Sequence, residues 1–187
     1  MLEFMSLSQL PARLLPSPAD LLLAVLLVIA AISDWRTYRI PNWLTMGGAL
    51  VGLALNAFVT DVGVLRALGG LGLGLVLLLP LWALRVLGAG DVKLMAMVGA
   101  FAGAPDVLVA LVFSLIAGGI VAAGFGLSRR KGLQMLRNVH ETVVASVVNI
   151  AAGQAPSLAA MPSIGKLPYA IGICMGCIAW MVYRQTN

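Results

Sequence analysis

The chain has 187 residues, 61% of them apolar and only 10% charged, against about a quarter charged in soluble domains, and its mean hydropathy is +1.02. This excludes an ordinary soluble enzyme and points to a chain solvated by lipid. The net charge of +5 is scattered between apolar runs and forms no basic stripe, so it speaks for orientation in a bilayer and against a nucleic-acid partner.

The first residues, with Glu3, Pro11, Pro16 and Pro18, lack the basic start of a cleaved signal, so the first helix is expected to stay. Six apolar runs follow, at approximately 19–33, 43–59, 62–87, 92–103, 107–127 and 167–183. A spanning helix takes about 20 apolar residues, fewer where flanking residues snorkel; the fourth run is short enough to be partly re-entrant. Between the fifth and sixth runs, Leu133, Leu136, Val139, Val143, Val147 and Ile150 recur at steps of three and four. That period fits an amphipathic helix lying on the membrane surface, and residues 153–165 read as loop. Cys174 and Cys177 sit inside the last run without further ligands, as packing residues and not as a metal or redox site. The expected fold is an all-α membrane protein: a single domain over residues 1–187, with about six transmembrane helices and a cytoplasmic amphipathic helix.

Six spans sort the basic residues by side. Arg36, Arg39, Arg85, Lys93, Arg129, Arg130, Lys131, Arg137 and Lys166 fall on one side, and Arg13, Arg66 and Arg184 on the other. Nine against three makes the rich side cytoplasmic, with both termini outside.

The acids are few enough to place individually. Asp20, Asp61 and Asp106 fall at outer helix ends or turns, where a solvated cap explains them. Glu141 beside His140 lies on the amphipathic segment, as part of a wetted polar face, and Glu3 in the terminal stretch. Asp34 and Asp91 differ, because the first and third runs both head inward and deliver the two carboxylates to the same, cytoplasmic side. An ionisable group at the membrane surface or below it is a functional candidate. Gly88 and Gly90 precede Asp91 in what reads as a tight bend open to close backbone approach; alone, that pattern is better read as a plain interhelical turn with an aspartate cap, and the matched Asp34 reverses the preference. Two carboxylates a few ångströms apart cannot both ionise, which leaves one acid and one base for activating a water.

The stretch from Asp34 to Asn42, Asp-Trp-Arg-Thr-Tyr-Arg-Ile-Pro-Asn, resembles the first aspartate motif of the type IV prepilin peptidases. Gly88-Ala89-Gly90-Asp91-Val92-Lys93-Leu94 resembles their second, the GxGD motif. The resemblance runs from the first helix to Pro168 and Tyr169. It implies a membrane aspartic endopeptidase with Asp34 and Asp91 as catalytic residues and no cofactor or metal. Its substrate would be a prepilin or pseudopilin, cut at the cytoplasmic face of the inner membrane, ahead of the precursor's hydrophobic helix. Larger members add a methyltransferase domain with a four-cysteine zinc site; this chain is more similar to the short forms associated with tight-adherence (Flp) pili or with archaeal preflagellins. Arg36, Arg39 and Lys93 would attract an acidic residue of the precursor or serve only as cytoplasmic anchors. Two rival classes are a proton-coupled transporter component, which calls for acids in mid-membrane, and a non-enzymatic assembly scaffold, which would cleave nothing.

Overall fold

The computed structural model describes residues 17–60, 62–83, 87–128 and 169–186, the stretch 125–128 by its backbone alone. The amphipathic helix expected around 133–150, the loop at 153–165, the residues before Ser17, and Asp61 and Arg85 lie outside the described residues. Six helices follow in chain order: α1 Pro18–Thr37, α2 Asn42–Phe58, α3 Val64–Ala83, α4 Ala89–Ala102, α5 Ala104–Ser128 and α6 Tyr169–Thr186. Three are long and apolar enough to cross a membrane, over Pro18–Thr37, Val64–Ala83 and Ala104–Gly124. Large apolar side chains face outward from the bundle: Leu50 is 68% exposed, Leu65 85% and Ile120 66%. In water such a surface would aggregate; lipid solvates it. The protein is a helical membrane protein.

Local sequence explains where the helices begin and end. Ser17 accepts the Asp20 N–H at 3.1 Å and Pro18 supplies a preset φ at the first helical position of α1. Tyr38 ends α1 in the left-handed region at φ 51°, its N–H donating to the Asp34 carbonyl at 2.8 Å. Asp34 therefore lies in the last turn of α1, and the helix continues four residues beyond the apolar run at 19–33. Pro41 caps α2, its carbonyl accepting from the amides of Leu44 and Thr45. The turn between α4 and α5 is a single residue, Gly103, at φ +86°, where a side chain would be strained.

The short fourth run is a continuous helix at the centre of the bundle. α4 touches each of the other five helices, and every residue from Leu94 to Ala102 is buried. Fourteen residues make only about 21 Å of helix, but its neighbours and not lipid surround it. Small residues allow this packing. Gly70 and Gly74 of α3 lie against the backbone of Gly99, Gly103 and Met95, so closely that a Cβ at Gly70 or Gly99 would collide with the opposing main chain. Gly48 and Gly52 of α2 receive Met97 and Phe101, and Gly172 and Gly176 of α6 receive Gly118 and Ser114 of α5. Without a hydrophobic drive between helices in lipid, such close backbone approach is a main source of association. Cys174 and Cys177 are free and buried, with Cys177 Sγ 3.5 Å from Ser114 Oγ. Asn56 closes the end of α4, donating to the carbonyls of Ala100 at 2.7 Å and Phe101 at 3.1 Å. It satisfies acceptors that a helix terminus otherwise leaves bare.

These contacts also fix direction. Gly48 with Met97 and Gly52 with Phe101 make α2 and α4 parallel, whereas Gly70 with Gly99 and Gly74 with Met95 make α3 and α4 antiparallel. The Ala170 amide meets Asp34, and Arg184 meets Asp20, so α6 runs against α1. The six helices therefore alternate up and down. One end of the bundle carries Asp34, Asp91, Arg36, Arg39 and Lys93; the other carries Asp20, Asp106, Arg66 and Arg184. Among the described residues this is the division of charges read from the sequence.

Candidate active site

Asp34 and Asp91 reach the same end of the bundle from the last turn of α1 and the first turn of α4, and each is only 7% exposed. Gly88 is the N-cap residue of α4 and Ala89 to Asp91 are already helical. The bend expected around Gly90 is thus a helix start, and Gly90 has no positive φ. Asp91 Oδ2 accepts the N–H of Gly88 at 3.0 Å, the usual use of an acid in a first helical turn. Asp34 Oδ2 accepts the N–H of Ala170 at 3.1 Å, from the first turn of α6. The two carboxylates lie within each other's field, and the phenol of Tyr169 lies within that of Asp91. Each acid has one backbone donor and, among the described residues, no ion pair.

The chain between the two motifs is closely built. Ser33 Oγ and Thr37 Oγ1 both donate to the carbonyl of Arg39, at 2.9 and 3.2 Å, and Tyr38 supplies the left-handed reversal. The segment is thereby folded back across the end of α1, bringing Ile40 against Gly90, where an added Cβ would lie 3.2 Å from Ile40 Cβ. Lys93 Nζ donates to Asn42 Oδ1 at 2.9 Å. Lys93, read from sequence as an anchor or a lure for an acidic precursor, is thus engaged within the protein.

The roles of several of these residues escaped the sequence reading. Ser33, Thr37 and Tyr38 act through a local turn that no apolar period reports, and Ala170 acts through its backbone. Pro168 just before Tyr169 was the available signal for α6, because proline favours the start of a helix; that an α6 amide would meet Asp34 is a tertiary fact. A cavity of about 200 Å³ lies next to the site between α3, α4, α5 and α6, lined by Leu78, Leu87, Met95, Leu111 and Tyr169 among others.

The opposite end corrects one expectation. Asp20 is not a solvated cap: it is 8% exposed and Arg184 donates to both its oxygens, at 2.6 and 2.7 Å. Asp106 lies 3.6 Å from the same guanidinium.

A model described as the type IV leader peptidase family matches residues 21–123, more than half of the chain and a stretch that holds both aspartate motifs. No match was found among curated proteins or among solved structures. With a helical membrane bundle that carries the two motifs to one end, the match identifies the chain as a member of the type IV leader peptidase family, and so as a peptidase.

Proposed function

We propose that the protein is an aspartic endopeptidase that removes the leader of Flp-type prepilins and pseudopilins at the cytoplasmic face of the inner membrane, with all six helices spanning. The reading rests on one arrangement: a carboxylate from each motif, brought to the same end of the bundle, each held by a single backbone amide with no cation paired to it among the described residues. Such a pair shares its protons. The ionised member takes a proton from a water between the two as the water attacks the scissile carbonyl. The protonated member donates to the carbonyl oxygen, and the resulting tetrahedral species collapses with the proton passing to the leaving amine. Backbone amides suit this role because they orient a carboxylate without clamping it in one charge state. The test is reconstitution in liposomes with candidate Flp-type precursors. A leader-sized loss of mass, absent with Asp34→Asn, is expected; an intact precursor under conditions where the protein is folded would refute the proposal.

A further inference from the structure

The first turn of α4 carries more than Asp91. Gly90 and Lys93, three residues apart, share a helix face, and both meet the segment that follows Asp34: Gly90 against Ile40, and Lys93 Nζ on Asn42 Oδ1 at 2.9 Å. Asp91 is two residues from Lys93, about 200° around the helix, so it lies away from the face that meets Ile40 and Asn42, with its Oδ2 accepting the Gly88 N–H. Rotation of this turn about the helix axis moves the two side chains together, in opposite directions. Farther along the same face, Met97 on Gly48 and Phe101 on Gly52 hold α4 to α2, but these contacts are a turn or more away. At its start a helix lacks intrahelical acceptors for its amides and is least constrained.

We propose that Lys93 is a positioning residue: its hydrogen bond to Asn42 latches the start of α4 to the segment after Asp34 and sets the direction in which the Asp91 carboxylate faces its partner. The proposal rests on the reading of Asp34 and Asp91 as the catalytic pair. Chemistry shared between two side chains on separate helices is sensitive to such a latch, since a misplacement of about 1 Å can cost on the order of a hundredfold in rate. Asn42 is exposed and Lys93 half-buried, so the bond adds little to the stability of the bundle, and its effect belongs in turnover. The two simpler roles of a lysine here, anchoring at the membrane surface and attracting an acidic precursor, depend on its charge alone and make no demand on Asn42.

That difference supplies the test. The full-length protein in liposomes, with a precursor that it cleaves, is compared with Lys93→Met, Asn42→Ala, the double variant and Asn42→Asp, with kcat, KM and thermal unfolding measured for each. Each single truncation should lower kcat roughly tenfold, the scale of one hydrogen bond to a charged group. KM should stay within about twofold and the unfolding temperature near that of the wild type. The double variant should be no worse than the poorer single one, because both remove the same bond. Asn42→Asp, which offers the ammonium a carboxylate, should retain most of the rate. Full kcat in Asn42→Ala beside an impaired Lys93→Met, losses that multiply in the double variant, or an effect confined to KM would overturn the latch and leave the catalytic pair standing. Cleavage of the same precursor by Asp34→Asn or Asp91→Asn at the wild-type rate would overturn the pair and the latch with it.

Discussion

At one end of the bundle, Asp20 and Asp106 share the guanidinium of Arg184, which also stacks 4.8 Å from the Trp180 ring centroid; at the other, Asp34 and Asp91 are held by the amides of Ala170 and Gly88. Both ends bury aspartate beside apolar helices, and both draw on α1 and α6. The first arrangement joins three helices, α1, α5 and α6, through complementary charge. The second brings two like groups together and, among the described residues, gives each only a backbone dipole. Proton transfer needs carboxylates that can change their charge state, and an arginine clamp opposes that; fastening helices asks for the reverse. On the proposed reading the same residue type has a structural use at one end and a chemical one at the other, and the distinction lies in its partners and not in its burial.

The largest test of this contrast exchanges aspartate for asparagine at each end. Asp34→Asn and Asp91→Asn should each lower cleavage by about a thousandfold or more, since groups that act as a unit fail together. Both variants should insert and unfold much like the wild type, because asparagine still accepts the amide hydrogen bond. Asp20→Asn should do the opposite, lowering the unfolding temperature while turnover measured well below it stays near normal. Near-normal cleavage by either Asp34→Asn or Asp91→Asn would break the comparison at its root.

The distinction between the ends was only half legible in the sequence. The order of helices and the side on which each acid emerges followed from apolar runs and from having so few carboxylates to place. That Arg184 would clamp Asp20 did not follow, because the two are 164 positions apart and their meeting depends on how α1 and α6 are rotated. Helices that are apolar on every face carry almost no period to report that rotation, and α4, buried over nine consecutive residues, is the extreme case. Helix ends were misjudged for a related reason: polar residues were read as the exit from the helix, whereas Asp34 and Asp91 belong to α1 and α4, whose limits are set by Tyr38 and Gly88. The glycine pairs at four-residue spacing were visible as letters, but which partner each would face was not.

A substitution in the middle of the bundle should disturb both ends at once. A Cβ at Gly99 would fall on the main chain of Gly70, which cannot rotate away as a side chain does, so Gly99→Val forces α3 and α4 apart. A loss of about 3 kcal/mol is expected, the upper part of the usual range for overpacking, with cleavage falling in step. Gly72→Val on α3, where a Cβ meets nothing within 4 Å, is the control and should unfold within a few degrees of the wild type. Equal stability of the two variants would mean that the glycine contact does not hold α4 in place.

Arg184→Gln sharpens the comparison from the far end. It strands Asp20 and Asp106 without their cation, but the arginine side chain is 35% exposed and water partly screens the pair. The expected loss is therefore about 1–2 kcal/mol, below that of breaking a fully buried pair. Arg184→Lys should recover only part of it, because a single ammonium does not reproduce the planar fork, whose Nη2 meets both oxygens of Asp20 while Nη1 faces Asp106. Cleavage at a temperature where the variant is folded should stay within about twofold of the wild type; a large loss there would show that the two ends are not separable.

The smallest expected effect lies at Gly90, where the site end depends on fit. Its φ is not positive, so a side chain there incurs no backbone strain. The constraint is Ile40, whose Cβ, Cγ1 and Cδ1 would stand 3.2, 3.3 and 3.3 Å from an added Cβ. These are tight contacts with a side chain, relieved by a shift of a few tenths of an ångström, and that shift is passed to the segment joining Asp34 to Asn42. Gly90→Ala should therefore slow cleavage only a few-fold, and Gly90→Val, with two further methyl groups, about tenfold. Stability should change little, because the helix itself gains from losing a glycine. Ile40→Ala removes the Cγ1 and Cδ1 contacts, so combining it with Gly90→Ala should recover part of the lost rate. Cleavage and thermal unfolding in one detergent decide the matter: a graded loss of rate at constant stability, relieved by Ile40→Ala, fits a steric contact that sets the distance between the two motifs. Full activity in Gly90→Val would show that the contact with Ile40 sets nothing at the site, and an unrelieved loss in the double variant would place the clash elsewhere, on the substrate side of the turn.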